Sequence, residues 1–169
     1  MLRNQDVLLC RWRKMIVILD FNRTLFDPEK NQFFPETENL LNLLKNRGYK
    51  LTLIAIEKSE ERLKRISVIK SYFDFIKIVK EKKESDFKEI LEKFNCQPQE
   101  AIVIGDRVKI ELKIGNKLNI NTIWIKQGKF STETPEEENE VPKLVFKNLA
   151  QLITFLNNET LTGVNTKWK

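Results

Sequence analysis

The sequence contains no histidine among its 169 residues. Histidine is the base of Ser-His and Cys-His catalysis, and it is also a common zinc ligand and a proton shuttle near neutral pH. These kinds of site are therefore excluded. Any catalysis by this chain must use carboxylates and lysines.

Cysteine is also scarce, and long apolar runs are absent. Cys10 and Cys96 do not form a C-x-x-C pair, so we expect two reduced thiols. The apolar segment 7–10 is too short for a secretory leader, which needs about 7 or more apolar residues, and no run reaches membrane-spanning length. We therefore expect a soluble, cytoplasmic protein without a membrane partner.

Basic residues are in excess, but they are mixed with acidic ones. The chain has 30 Lys and Arg against 24 Asp and Glu, a net charge of +6 and a pI near 9.3. No module that combines basic and aromatic residues in a known way is present, which favours a solvated surface over a nucleic-acid patch. The segment 11–14, Arg-Trp-Arg-Lys, is the best candidate for such a patch. Nucleic acid is therefore the less favoured partner.

Short apolar segments alternate with segments of helical periodicity. Strands are expected at residues 15–19, 51–56, 75–79, 101–104 and 122–125, and amphipathic helices at 40–44, 87–94 and 149–156. This alternation predicts an α/β fold with a central parallel five-stranded sheet. We expect one domain over residues 1–157 and a disordered tail at 158–169. The intervals after residues 24 and 55 are too short for a cap domain.

Two of the predicted strands end on an aspartate. Asp20 follows the strand at 15–19, and Asp106 follows the strand at 101–104 after one glycine. If both strands lie centrally in one parallel sheet, their carboxyl ends meet at the same edge. The sequence therefore predicts a site for a divalent cation there.

The residues around these two acids match a known pattern. Residues 20–24 read Asp-Phe-Asn-Arg-Thr, and residues 105–111 read Gly-Asp-Arg-Val-Lys-Ile-Glu. In this order, and with βα spacing between them, they resemble the first and fourth motifs of the haloacid dehalogenase (HAD) superfamily. The resemblance covers about residues 15–157. It implies a capless, Rossmann-like three-layer sandwich in which residues 25–35 form a small hairpin flap.

The resemblance also implies roles for the acidic positions. Asp20 would be the nucleophile and would form an aspartyl-phosphate intermediate. Mg²⁺ would be held by Asp20, the backbone carbonyl of Asn22 and Asp106, all of them oxygen ligands. Glu111 would complete the metal site by orienting waters around the ion.

Other motif positions bear on substrate binding. Thr24 lies in the first motif, and Ala55 ends the second strand where the family places a hydroxyl that binds the phosphoryl group. The family's lysine motif fits both Lys82 and Lys83, since both precede a predicted helix. We favour Lys83 as the catalytic lysine and keep Lys82 as the substrate-binding candidate.

Two departures from the family pattern bear on activity. Asn22 stands where most phosphatases of the family have their general acid, and an amide cannot protonate a leaving group. Ala55 offers no hydroxyl to the phosphoryl group. Both changes weaken the case for efficient hydrolysis of alkyl phosphates.

The leading hypothesis is a Mg²⁺-dependent hydrolase of phosphate esters or anhydrides. Its substrate would be a phosphorylated small molecule or macromolecule. A homo-oligomer in which a neighbouring subunit supplies a lid is a further hypothesis. The alternative is a catalytically inactive domain of the same fold that binds phosphate or another protein. A third hypothesis is the processing of nucleic-acid ends.

Overall fold

Eight strands are present in the computed structural model, which describes residues 15–159 and residue 161. In chain order they are β1 (Ile16–Asp20), β2 (Phe26–Asp27), β3 (Gln32–Phe33), β4 (Lys50–Ile56), β5 (Phe75–Val79), β6 (Ala101–Gly105), β7 (Asn121–Ile125) and β8 (Leu144–Phe146). Six of them form one parallel sheet in the order β5-β4-β1-β6-β7-β8. The other two, β2 and β3, pair as a separate antiparallel hairpin.

Helices cover both faces of the sheet. They are α1 (Thr37–Asn46), α2 (Glu60–Val68), α3 (Glu84–Lys93), α4 (Lys113–Lys117) and α5 (Leu149–Asn158), with a π-helical turn at Val108–Leu112. Buried residues of α1, α2 and α5 pack on one face together with the hairpin. Buried residues of α3 and the π-helical turn pack on the other face. The result is the predicted three-layer α/β sandwich, in which β1 is buried along its whole length.

The position of β1 determines where the site lies. Its neighbours are β4 on one side and β6 on the other, so the sheet order reverses at this strand. Leu19 is in register with Ile104, which brings the carboxyl ends of β1 and β6 level with each other. In an open parallel sheet, ligands bind at such a point, beyond the carboxyl ends of the strands.

The sheet has six strands, so the expected number of five was one too low. The missed strand is β8, which has only three residues and adds to the edge of the sheet beside β7. The hairpin at β2 and β3 agrees with the expected flap, and β1 and α1 are separated by nothing larger.

The predicted boundary between the domain and the tail lies at the end of α5. Asn158 is the last residue of α5, and Leu161 is buried in the core. Residues 1–14, 160 and 162–169 lie outside the described part of the chain, and so do Cys10 and the basic segment 11–14. The domain limits of 1–157 therefore stay a prediction. In the described residues, no helix has the length and apolarity needed to cross a membrane.

Candidate active site

Asp20 and Asp106 meet at the carboxyl edge of the sheet, as the sequence predicted. Asp20 is the last residue of β1, and Asp106 directly follows Gly105 at the end of β6. Together with Glu111, each offers a carboxylate oxygen, and these oxygens lie within 4.8 Å of one another. All three residues are buried. The site therefore concentrates negative charge where little water can screen it.

Asp106 shows the electrostatic cost of this arrangement. Its backbone carbonyl accepts a hydrogen bond from Trp124 Nε1 at 2.9 Å, but its side-chain Oδ2 is buried without a partner. Burial and the negative charges of Asp20 and Glu111 raise the pKa of Asp106 to about 9. A buried acceptor with no donor beside two other carboxylates is the environment that a cation would relieve.

Lys82 is the cation that the protein itself brings to this site. Its Nζ donates to Oδ1 of Asp20 and, at 3.2 Å, to Oε2 of Glu111. Burial alone would lower the pKa of Lys82, but the charges of Asp20 and Glu111 outweigh it and raise that pKa. Lys82 therefore stays charged and neutralises part of the carboxylate cluster.

Lys83, which the sequence favoured, does not reach the site. Its side chain is 66% exposed and pairs with Glu81 at 3.6 Å, whereas the side chain of Lys82 is only 3% exposed. Lys83 is the extended N-cap residue of α3, and successive side chains on an extended segment point in opposite directions. Because Lys82 points to Asp20, Lys83 points to solvent. The geometry corrects the preference for Lys83 in favour of Lys82.

Glu111 is held in place by the backbone around it. Its Oε1 accepts a hydrogen bond from the backbone N–H of Arg107 at 2.9 Å, and burial raises its pKa while Lys82 opposes that rise. A Cβ at Gly105 would stand 2.5 Å from Cγ of Glu111. The glycine is therefore required for Glu111 to lie under the end of β6.

The loop after β1 completes one wall of the site. Thr24 Oγ1 donates to Asp20 Oδ2 at 3.2 Å, so Thr24 orients the carboxylate directly. Arg23 adopts a left-handed backbone conformation with φ of 61°, which is uncommon for a residue other than glycine. Gln127 secures the loop, because its side-chain amide donates to the carbonyls of Arg23 and Thr24. Strained backbone fixed in this way is frequent at functional sites.

Asn22 and Ala55 both line the cleft into which the carboxylates open. The cleft has a volume of about 210 Å³. Asn22 is half-buried in the loop after β1, and Ala55 is buried near the end of β4. Ala55 contributes only a methyl group to the wall. The nearby hydroxyl of Thr52 donates to the carbonyl of Val17 and is fully buried, so it does not replace the missing hydroxyl.

The sequence did not identify the basic and aromatic residues around the cleft. These residues are Arg23, Lys58, Arg62, Arg107, Lys129 and Phe130. They come from four segments that are distant in sequence, and each segment follows one of the strands β1, β4, β6 and β7. Arg62 carried one signal that could have drawn attention, because it lies in the first turn of α2, where a cation opposes the helix dipole.

The donor set fits a hard divalent cation such as Mg²⁺. Such an ion prefers oxygen ligands and retains several waters. Asp20 and Asp106 offer buried carboxylates, and Oδ2 of Asp106 has no other partner. Asn22 lines the same cleft, and its backbone carbonyl is present whatever the side chain. A lysine and three acids leave an excess of negative charge that one divalent ion would balance.

The sequence profile of haloacid dehalogenase-like hydrolases matches residues 8–125 of this chain. A glyceraldehyde 3-phosphate phosphatase from Pyrococcus furiosus is 30% identical over 133 residues, a match that covers 74% of this chain and 55% of the relative. The chain thus spans about half the length of the curated relatives that it matches.

Solved structures share the fold. An uncharacterized protein from Listeria monocytogenes serotype 4b has a TM-score of 0.67 at 17% identity, covering 86% of this chain and 99% of that chain. The magnesium-bound YfnB of Bacillus subtilis, described as a HAD hydrolase, has a TM-score of 0.62 at 19% identity, covering 76% of this chain and 58% of its own. The fold and the profile agree, and the chain belongs to the haloacid dehalogenase-like hydrolase family.

Proposed function

We propose that this chain is a Mg²⁺-dependent phosphohydrolase whose nucleophile is Asp20. The observation that carries the proposal is the meeting of Asp20, Asp106 and Glu111 with the buried Lys82 at the end of β1. Family membership supports it, and so do the curated relatives, which are phosphatases by name.

In the proposed reaction, a carboxylate oxygen of Asp20 attacks the phosphorus of the substrate. The bond from phosphorus to the leaving oxygen breaks, and an aspartyl-phosphate forms. Water then attacks the phosphorus of that intermediate, which restores Asp20 and releases inorganic phosphate. Splitting one difficult displacement into two steps in this way is the advantage of a covalent nucleophile.

The other residues would position and stabilise charge. Lys82 holds Asp20 in place and offers positive charge to the phosphoryl oxygens. Thr24 orients the second oxygen of Asp20. Asp20, Asp106 and the carbonyl of Asn22 would hold Mg²⁺, which neutralises charge on the phosphoryl group when bound, and Glu111 would orient waters beside it.

Asn22 sets the choice of substrate in this mechanism. Its amide cannot protonate the leaving oxygen, so that oxygen must leave with its charge or take a proton from water. Aryl and acyl phosphates have leaving groups that need little protonation, and they would react faster than alkyl phosphates. We therefore propose a weak or selective phosphatase rather than a general one.

Asn22 and Ala55 also favour a second candidate, a catalytically inactive domain that binds phosphate or a partner protein. Asn22 lacks the proton and Ala55 lacks the hydroxyl that an efficient phosphatase would use. The acidic cluster and Lys82 would then serve to bind a metal and an anion without turnover.

Turnover of an aryl phosphate separates the two candidates. We expect the native protein with Mg²⁺ to hydrolyse it, and Asp20→Asn to reduce the rate to background. The matched control is Asp74→Asn, because Asp74 contacts Leu51 at the opposite end of β4 and should leave the rate unchanged. Equal rates for the native and Asp20→Asn proteins would contradict the enzymatic proposal.

A further inference from the structure

The mouth of the cleft carries several cations in addition to Lys82 in its interior. The interior acids, Asp20 and Glu111, already contact Lys82. Five more cations line the same cleft, namely Arg23, Lys58, Arg62, Arg107 and Lys129. Positive charge gathered in one concave site attracts anions.

Two of these five cations are already neutralised by carboxylates. Arg23 pairs with Glu29 at 2.8 Å, and Arg107 pairs with Glu133 at 2.6 Å. Lys129 lies beside the ring of Phe130, its Nζ 5.6 Å from the centroid. The cations on this side of the mouth, Arg23, Arg107 and Lys129, thus already have partners within the protein.

Lys58 and Arg62, which we call the β4–α2 rim, have no such partner. Within residues 15–159, neither has a carboxylate at ion-pair distance. Both follow Ala55 closely in sequence, on the segment that leads from β4 into α2. They therefore face the cleft next to the wall that offers only a methyl group.

Arg62 is fixed in position rather than free in solvent. Its Nη1 donates to the carbonyl of Ile56 at 2.7 Å, and Ser59 caps the helix by accepting from the backbone N–H of Arg62. One of the five guanidinium N–H donors is thus used, and the remaining donors are available to an anion. A guanidinium held in this way loses little freedom when it binds.

The electrostatic surroundings of Arg62 point in the same direction. The guanidinium is half-buried, burial lowers its pKa, and the charges of Arg23 and Arg65 lower it further, while Asp20 opposes them. Arg62 thus lies close enough to feel the charges of Arg23 and Arg65, and those two arginines pair with Glu29 and Glu61, whereas Arg62 has no such pair among the described residues. Clusters of arginine recur where charge-assisted, bidentate contacts bind phosphate.

We propose that the β4–α2 rim binds a second phosphate group, so that the substrate of this site is a small molecule carrying two phosphates. The proposal rests on the proposed function, because the first phosphate is the one that Asp20 attacks. A cleft of about 210 Å³ is smaller than a typical pocket for a drug-sized ligand, which restricts the substrate to a small metabolite. The second phosphate would also lower KM and so offset the missing hydroxyl at position 55.

The experiment compares two substrates that share one sugar, fructose 6-phosphate and fructose 1,6-bisphosphate. We expect the native protein to have the higher kcat/KM for the bisphosphate. Lys58→Gln and Arg62→Gln should each lower that value about tenfold, mainly through KM, because each removes a charge-assisted contact. Both variants should lower kcat/KM for the monophosphate less than for the bisphosphate, because a monophosphate has no second phosphate for the rim to bind.

Lys64→Gln is the matched control, since Lys64 is an exposed cation on α2 that does not line the cleft. It should leave both substrates unaffected. Equal losses for both substrates in Arg62→Gln would overturn the proposal, because Arg62 would then bind the phosphate under attack. Thermal unfolding of each variant checks that a loss does not reflect misfolding.

Binding to Asp20→Asn separates this proposal from the proposed function. Calorimetric titration with fructose 1,6-bisphosphate should show affinity that depends on Arg62, even if the native protein hydrolyses nothing. Turnover that depends on Asp20 but shows no preference for the bisphosphate would retain the function and overturn the second subsite. A salt-sensitive preference for a 5′-phosphorylated oligonucleotide over the bisphosphate would also overturn it.

Discussion

Asn22 is the residue that would most limit the proposed hydrolysis. It lines the cleft beside Asp20, and its amide replaces a carboxyl group at the position where the resemblance places the general acid. In the proposed mechanism, the backbone carbonyl of this residue would still bind the metal ion. Metal binding and proton transfer would then be separable at one position.

We predict that Asn22→Asp accelerates alkyl phosphate hydrolysis. General acid catalysis contributes about 10² to 10⁴ in rate, so kcat should rise within that range, while aryl phosphates should gain much less. Steady-state kinetics with one alkyl and one aryl phosphate measure the difference. Asn42→Asp, an exposed change on α1, is the matched control. No gain for the alkyl substrate would mean that Ala55 is the greater defect or that position 22 does not face the leaving group.

Single residues also show where sequence reasoning reached its limit. Asp20 and Asp106 could be predicted to meet, because each follows a buried strand and parallel strands share an edge. Lys82 and Lys83 could not be distinguished, since both precede the same helix and only the backbone direction decides which one turns inward. Side chains at neighbouring positions of an extended segment point in opposite directions, and the spacing of residues in the sequence does not show which of them faces the site.

At the scale of elements, long buried strands were predictable and the short edge strand was not. The strands β1, β4, β5, β6 and β7 stand out as apolar segments because most of them are buried on both faces. In β8 only three residues pair, and Val145 among them is 49% exposed. An apolar run of only three residues is too short to indicate a strand.

The start of β5 is tied to the start of β4 by Asp74. Its carboxylate accepts from the backbone N–H of Leu51 at 2.9 Å and from Nζ of Lys50 at 3.0 Å, with Lys45 at 3.4 Å. Burial alone would raise the pKa of Asp74, but these donors outweigh it and lower that pKa. The ionised form is therefore the one that the folded state prefers.

We predict that Asp74→Asn lowers the free energy of unfolding by about 1 kcal/mol near neutral pH, because charged hydrogen bonds at a half-exposed site are lost. A lowered pKa stabilises the fold above the unfolded value and loses that effect as pH falls through the folded value. The gap between native and variant should therefore close at low pH. Urea unfolding at about pH 7 and about pH 3 measures it.

The exposed Glu57→Gln serves as the control for the loss of one charge, since Glu57 forms no ion pair among the described residues. It should change stability little at either pH. A gap for Asp74→Asn that persists unchanged at low pH would show that side-chain shape, and not charge, ties the two strands together.

At the scale of the whole molecule, charge is distributed locally in a way that composition could not reveal. The even mixture of acids and bases favoured a solvated surface, and many ion pairs are indeed exposed. The loops nevertheless bring five cations to one cleft. Composition counts charges, whereas only the folded chain shows which of them converge.

The fold also bears an electrostatic cost for its site. Asp20, Asp106 and Glu111 are buried around a single lysine, and Asp106 must either stay charged beside two carboxylates or take up a proton to fold. Either course is unfavourable, and removal of such strain commonly stabilises a protein while harming its function.

We predict that Asp106→Asn raises the stability of the metal-free protein by about 1 to 3 kcal/mol, since it removes one buried negative charge and preserves the shape of the side chain. Added Mg²⁺ should instead favour the native protein over the variant. An ion that binds only the folded state stabilises it in proportion to the logarithm of its concentration, so Mg²⁺ should raise Tm of the native protein and leave that of the variant unchanged.

Thermal unfolding in EDTA and in MgCl₂ tests both the stability of the variant and the effect of Mg²⁺, with Asp27→Asn as an Asp→Asn control in the hairpin. If Mg²⁺ does not change the Tm of the native protein, the proposed metal site is contradicted. If the variant is less stable than the native protein in EDTA, the three acids coexist without strain.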